Sequence, residues 1–131
     1  MPAASRNAFE LARNYRRMAT RVDDYVDKKF DALSSDELFD LLNLSDNLFR
    51  VAGTAALVGA RLDLAEMAEA ATQVKAATAR LGEAIDTLDD AGKVIAAVTA
   101  SISLAGAIAS GNPTAILAAV KDMKDPIAAL M

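Results

Sequence analysis

The apolar positions at the start of the chain recur at intervals of three and four residues, which is the period of an amphipathic α-helix. This pattern predicts a first helix over about residues 6–33. Its buried face is expected to consist of Leu11, Tyr15, Met18, Val22, Val26, Phe30 and Leu33. On another, solvated face of the same helix, Arg13, Arg17 and Arg21 recur every four residues.

A second helix is predicted where Ser34 is followed three residues later by Glu37, since this spacing is the capping box of a helix N-terminus. The helix is expected over about residues 35–58, with Gly59 as its stop. Its buried stripe is predicted to be Leu38, Leu41, Leu42, Leu48, Val51, Ala55 and Val58.

A heptad pattern begins in the third predicted helix, over about residues 64–88, where Asp63 and Glu66 repeat the start signal. The heptad positions are Met67, Ala71, Val74, Thr78, Leu81, Ile85 and Leu88. The same phase continues through Gly92, Ile95, Thr99, Ile102, Gly106 and Ala109. Alternating steps of three and four residues indicate a coiled-coil seam, here built largely from small side chains.

The continuous heptad leaves two arrangements open. One helix from residue 67 to residue 109 would be about 65 Å long, whereas a compact chain of this length has a diameter of about 36 Å. Asp89 and Asp90 favour a new helix N-terminus, and Gly92 disfavours a helix interior. We therefore favour a break at residues 89–92 and a fourth helix over residues 91–110, with an elongated, continuous rod as the alternative.

The sequence Gly111-Asn112-Pro113 predicts the end of the fourth helix. A short fifth helix is expected over residues 114–123, and Pro126 is expected to interrupt it. The predicted fold is all-α, with residues 1–131 forming a single domain. Because the connections are short, we expect an antiparallel bundle of four main helices with the short fifth helix at the C-terminus.

The segment from Val94 to Val120 contains no charged residue. Apolar residues surround the predicted fourth helix, which indicates burial on most sides. Small residues at four-residue spacing would let another helix backbone come close. We expect protein, and not lipid, to cover this helix, because Ala, Gly, Ser and Thr make up most of it and contribute little to membrane insertion.

These patterns favour a non-catalytic interaction or assembly protein that buries its apolar C-terminal hairpin against itself or against a helical partner. The residues expected at the partner or oligomer interface are Ile95, Val98, Ile102, Gly106 and Leu117. Arg13, Arg17 and Arg21 are the candidate polar docking stripe.

Two alternatives come from other functional classes. An amphipathic bundle with an apolar hairpin resembles the α-helical pore-forming toxins, and this resemblance implies a membrane-active protein that inserts residues 94–120. It rests on the arrangement of the segments and on no specific motif. The third hypothesis is a small nucleic-acid-associated protein that uses the basic face of the first helix, with Tyr15 and Tyr25 between the arginines. We expect both tyrosine hydroxyls to lie at the surface instead.

Composition narrows the chemistry. The 131 residues include no Cys and no His, which excludes disulfides, Cys/His zinc sites and catalysis by thiols or imidazoles. The clustered carboxylates are expected on solvated helix faces. We therefore predict that the protein is not an enzyme and has no catalytic residue, metal site or cofactor. Ser101 and Ser103 are expected to bond back to the preceding helical turn.

The net charge of −4 is unevenly distributed. Residues 1–30 hold seven basic and four acidic side chains, whereas residues 31–90 hold twelve acidic and four basic ones. This imbalance favours charge complementarity within the fold or between subunits. The N-terminal residues carry no apolar leader, so a cytoplasmic protein is expected. The membrane-active alternative implies secretion by a route without a leader.

Overall fold

A computed structural model describes residues 6–59, 62, 67–85 and 90–129. Within these ranges the chain forms five α-helices, one 3-10 turn and no strand, so the all-α prediction is confirmed. The elements are α1 (Arg6–Lys29), the 3-10 turn (Phe30–Ala32), α2 (Ser35–Val58), α3 (Ala68–Ala84), α4 (Ala91–Ser110) and α5 (Pro113–Ala129).

The five helices close a ring around a shared core. α1 packs against α2 and α3, α4 packs against α2 and α5, and α3 packs against α5. Each helix therefore has two main neighbours and turns one side inward. Large, fully buried side chains come from all parts of the ring, including Leu11, Leu41, Leu81, Leu104 and Ile116.

α1 and α2 run antiparallel, as two contacts at opposite ends of the pair show. Near their connection, the Ser45 hydroxyl donates to a carboxylate oxygen of Asp23 at 2.5 Å. At the far end, Gly59 lies so close to α1 that a Cβ added there would be 2.6 Å from the Cα of Ala8. Glycine at the end of α2 is therefore required by the close approach of the two backbones, while its φ of −62° is ordinary.

The capping box at the start of α2 is confirmed. The backbone N–H of Glu37 donates to Ser34 Oγ at 3.1 Å, and the N–H of Ser34 donates to Glu37 Oε1 at 2.9 Å. These bonds satisfy two backbone donors that the first turn of a helix otherwise leaves without partners.

Two large side chains that were predicted to be buried lie at the surface instead. Phe30 is 57% exposed and Leu42 is 49% exposed. Phe30 follows the end of α1 and begins the 3-10 turn, whose tighter winding moves it off the buried stripe. Leu42 comes one residue after the fully buried Leu41, and this step of about 100° turns it away from the core.

α3 and α4 are separate helices, as the favoured arrangement predicted. Asp90 has an extended backbone, with φ −108° and ψ 112°, and its Oδ1 accepts the N–H of Gly92 at 2.8 Å. An extended residue with a capping carboxylate begins a new helix, so the elongated rod is wrong. Some residues used in the sequence predictions lie outside the described residues. They are the start signal of the third helix (Asp63 and Glu66), the heptad position Leu88, and Asp89 at the break. The side chain of Val58, predicted to be buried, is also not described.

The fifth helix is longer than predicted. α5 starts at Pro113, and Asn112 caps it through a hydrogen bond from the N–H of Thr114 to Asn112 Oδ1, at 2.9 Å. Its predicted end at Met123 is wrong, because the helix continues through Pro126 to Ala129. Proline has a helical φ of its own, so Pro126 removes a backbone hydrogen bond without forcing the chain to turn.

Candidate interaction surface

One exposed side of α4, next to the exposed Lys93, carries only small residues. They recur at alternating steps of four and three residues and are all exposed: Gly92, Ala96, Thr99, Ser103, Gly106 and Ser110. We call this set the α4 face. No charged side chain belongs to it, so a docking molecule would displace only water and would not have to bury a charge.

Two isoleucines border the α4 face. Ile95 and Ile102 are half-buried, each packed on one side against the core. At Gly106, a position for Cβ would have no neighbouring atom within 4 Å. A second helix could therefore approach the backbone of α4 closely at Gly106 and cover the exposed parts of the isoleucines.

The heptad positions are buried in α3 but lie at the surface in α4, so the pattern changes its environment at the break between the two helices. In α3, Ala71, Val74, Thr78 and Leu81 are all buried in the core. In α4, the positions that continue the phase are exposed or half-buried, because α4 turns a different set inward: Ala91, Val94, Ala97, Val98, Ser101, Leu104 and Ile108. The second half of the predicted seam is thus available to another molecule.

The structure separates the five predicted interface residues. Val98 has no exposed surface and belongs to the core of this fold. Ile95 and Ile102 border the α4 face, and Gly106 lies on it. Leu117 is half-buried on α5.

The expected burial of the uncharged helix on most sides is not what the fold provides. An 18-residue window of α4 is 39% buried within the molecule. Within the described ranges, α4 is the one helix that is long and apolar enough to cross a membrane by length and composition. The α4 face is therefore a second uncharged side of α4 for which the fold itself supplies no cover.

The three arginines of the predicted docking stripe lie on one surface of α1. Arg13, Arg17 and Arg21 line a shallow groove of about 530 Å³, together with Arg16, Thr20 and Asp24. Arg17 also reaches α3, where its Cδ would be 3.4 Å from a Cβ built at Gly82. Part of the stripe therefore packs against the fold, while Arg13 and Arg16 are exposed.

Polar side chains join α1 to α3 beside this groove. Asn14 Nδ2 donates to Thr78 Oγ1 at 2.9 Å, and Lys75 Nζ lies 3.4 Å from Glu10 Oε2. These contacts explain how Thr78 can occupy a buried heptad position, because its hydroxyl both accepts from Asn14 and donates to Val74 O at 2.8 Å.

The buried polar groups of α1 and α4 are engaged with each other. Tyr15 is fully buried, and its hydroxyl donates to the backbone carbonyl of Ser101 at 2.5 Å. Tyr25 is 1% exposed, so the expectation of a surface hydroxyl is wrong for both tyrosines. Burial raises the pKa of the Tyr15 hydroxyl well above its ordinary value near 10. Ser101 donates to Val98 O at 2.7 Å, as predicted for a serine in an apolar helix.

The described residues contain no group of three or more His, Cys, Asp or Glu side chains that could hold a metal ion. Several polar side chains instead cap helices, as Ser34 and Asp90 do, or join neighbouring helices, as Asn14 does.

Sequence reasoning missed the exposed aromatic residues of the first two helices. Phe39, Leu42 and Phe49 lie on one exposed side of α2, each one residue after a position of the core stripe. Their own spacing of three and seven residues was the available signal. The leucines at the adjacent positions form a stronger stripe, so the sequence pattern predicts that the apolar residues of α2 form one side that faces the core.

The chain matches no protein-family model, no curated protein and no solved structure. What its surfaces can bind is therefore inferred from their shape, charge and exposure.

Proposed function

We propose that this protein is a non-catalytic helical assembly protein whose α4 face packs against a helix of a second copy or of a helical partner. The observation that carries this proposal is the outward position of an uncharged, small-residue face on the most apolar helix of the fold. Apolar surface removed from water contributes about 25 cal/mol per Å² to association. The absence of charges means that docking leaves no ion desolvated.

The arrangement of the α4 face suits a helix more than a small ligand. Its positions alternate at four and three residues, the spacing with which two helices interlock in a coiled coil. The proposal includes the finer fold assignment, in which the longer helices form an antiparallel bundle and α4 lies at its outer side. A docked helix would then continue the bundle by one more layer.

The test compares the sizes of purified variants by light scattering over a range of concentrations. Gly106→Lys places a charge on the α4 face at a position with open space above it, so the fold should be unaffected. Thr72→Lys is the matched control, because Thr72 is exposed on α3. We expect wild type and Thr72→Lys to form the same assembly and Gly106→Lys to form a smaller one.

Ile102→Asp is the second variant, and it should abolish association through the α4 face. Because Ile102 packs partly against the core, circular dichroism is used to check that the variant protein keeps its helical content. An assembly of unchanged size in a folded Gly106→Lys variant would contradict self-association through the α4 face. If wild type is a monomer at every concentration, the proposed occupant of the α4 face is a helical partner. Binding of an Ala-rich helical peptide then tests that form of the proposal.

The length and composition of α4 favour a second candidate, a membrane-active bundle that inserts the α4–α5 hairpin. Vesicle flotation and dye leakage test it directly, with neutral and with anionic lipid at neutral and acidic pH. Ile102→Asp should abolish the leakage, because a charge in the middle of an inserted helix is costly. Absence of vesicle binding under all four conditions would remove this candidate.

The four-arginine groove of α1 supports a third candidate, binding of nucleic acid through phosphate contacts. An electrophoretic mobility-shift assay at low salt tests it. Binding should weaken with added salt and with Arg13→Ala, and no shift even at low salt would dispose of the idea.

A further inference from the structure

All four phenylalanines of the chain are exposed, and each belongs to α1, the 3-10 turn or α2. Phe9 is 67% exposed and Phe39 is 68% exposed. Together with Leu42, the phenylalanines are the large exposed apolar side chains of the described residues. Aromatic side chains are enriched at protein interfaces and supply much of their binding energy. The first two helices and the turn between them therefore carry exposed aromatic side chains that do not belong to the α4 face.

The outward side of α1 and the 3-10 turn has the spacing of a coiled-coil seam. Seven positions follow each other at alternating steps of four and three residues, and we call them the α1 seam: Phe9, Arg13, Arg16, Thr20, Asp23, Asp27 and Phe30. Six of them are exposed, while Asp23 is half-buried and accepts the Ser45 hydroxyl. The α1 seam lies about 120° around the helix from the core stripe, on the flank next to α2 that Asp23 joins through its bond to Ser45.

The charges of the α1 seam are arranged symmetrically about Thr20. Two arginines precede Thr20, two aspartates follow it, and a phenylalanine ends the seam on each side. A second copy placed antiparallel, with Thr20 against Thr20, would bring Arg13 beside the partner's Asp27 and Arg16 beside the partner's Asp23. A parallel pair would instead bring arginine to arginine and aspartate to aspartate. Charge complementarity therefore selects a second copy in antiparallel orientation.

α2 widens the same surface. The hydrogen bond between Asp23 and Ser45 sets the register of the antiparallel α1–α2 pair and brings Phe49 about level with Thr20. Leu42 and Phe49 lie three residues before and four residues after Ser45, so they share its side of α2, which is turned toward α1. Apolar side chains thus border the charged seam near its centre, where an interface is most shielded from water.

We propose that the α1 seam, bordered by Leu42 and Phe49, is a homodimer interface at which two copies pair antiparallel about a two-fold axis at Thr20. Such an interface is isologous, so every contact between different positions occurs twice. The seam spans about 32 Å along the helix, which is long enough for several interlocking layers. This inference stands on α1 and α2 alone and does not depend on the α4 face.

Cross-linking through a single introduced cysteine tests the two-fold axis. The chain contains no cysteine, so a Thr20→Cys variant carries one thiol and, at the axis, would face its own counterpart. On oxidation, or with a short bismaleimide, we expect Thr20→Cys to form a covalent dimer. Thr72→Cys is the matched control, since Thr72 is an exposed helix residue away from the seam. It should cross-link only at the background level.

A charge exchange between Arg13 and Asp27 tests the antiparallel pairing. Arg13→Glu and Asp27→Arg alone should each raise the dimer dissociation constant about tenfold, because each converts two attractive contacts into repulsive ones. The double variant should dimerise about as tightly as wild type. An equimolar mixture of the two single variants should form a heterodimer, since each then meets an opposite charge. Sedimentation at several protein concentrations measures all four.

Several results would overturn the proposal. A Thr20→Cys variant that cross-links no faster than Thr72→Cys would overturn it, and so would a double variant that dimerises as weakly as the single ones. Binding of anionic vesicles that depends on Phe39 and Phe49, without dimerisation in solution, would assign the surface to lipid and also overturn it. Loss of the assembly in Gly106→Lys with intact Thr20→Cys cross-linking would separate the two surfaces, since that result concerns the α4 face alone.

Discussion

The hydroxyl of Tyr15 in α1 donates to the backbone carbonyl of Ser101 in α4 at 2.5 Å, across the interior of the helical ring. α1 and α4 are not main neighbours in that ring, so this bond is a direct link between opposite sides of the core. Tyr15 is fully buried, and a buried hydroxyl without a partner would be costly. The bond thereby determines which way the tyrosine ring enters the core.

Replacing Tyr15 by Phe should lower the free energy of unfolding by about 1 kcal/mol at neutral pH, the usual net value of a hydrogen bond. Burial raises the pKa of the Tyr15 hydroxyl in the folded state, while the unfolded chain keeps a pKa near 10. The wild-type contribution is therefore complete below pH 10 and declines above it, by about 1.4 kcal/mol for each pH unit. Urea titrations at pH 8 and pH 11 should show the advantage of wild type over Tyr15→Phe shrinking or reversing. An advantage that stays constant with pH would contradict this account.

Gly59→Ala should destabilise the fold by about 1–3 kcal/mol, because the added methyl group would force α1 and α2 apart at Ala8. Gly53→Ala is the matched control in the same helix. No atom lies within 4 Å of the Cβ position at Gly53, so alanine there should stabilise the helix by up to about 1 kcal/mol. Thermal unfolding compares the two variants, and equal shifts in Tm would be inconsistent with the close approach at Gly59.

Ser45→Ala should cost about 1–3 kcal/mol, because Asp23 would lose the hydroxyl that donates to its carboxylate in a partly buried site. Thr54→Ala provides the comparison. Thr54 is exposed and its hydroxyl bonds only to Arg50 O within α2, so its loss should change stability by less than about 0.5 kcal/mol. Urea unfolding of both variants decides the matter, and a Ser45→Ala variant as stable as Thr54→Ala would count against the role of this hydrogen bond.

Ser34→Ala should lower stability by about 1 kcal/mol, since the N–H of Glu37 would lose its acceptor at the start of α2. The neighbouring Ser35 lies inside the helix and takes no part in the capping box, so Ser35→Ala should be close to neutral. Thermal denaturation of the two variants tests the contrast, which would disappear if the cap contributed nothing.

Local patterns along the chain were enough to predict the helices and most of their ends. The capping box at Ser34, the break before α4 and the buried heptad of α3 depend on residues a few positions apart, and such residues meet in any helix. The arginine stripe on one face of α1 followed from the same geometry. The end of α5 could not be obtained in this way, because proline weakens a helix without always ending it.

Which side of each helix meets the core was decided by the tertiary structure. The heptad phase is continuous from α3 into α4, yet Leu81 is buried and Gly106 is exposed. Periodicity identifies residues that share a side of a helix, but the neighbouring helices determine whether that side is covered. The same reason explains why Leu42 and Phe30 are at the surface and why the Tyr15 hydroxyl is inside.

The amino-acid order alone determined an all-helical chain, its capping signals, the absence of cysteine and histidine chemistry, and the unequal distribution of charge. Only the tertiary structure placed the uncharged side of α4 and the phenylalanines of α1 and α2 on the outside. Helix formation depends on hydrogen bonds and side chains within a few residues, so it can be inferred locally. Exposure depends on which distant segments pack together, and that choice is made by the whole chain at once.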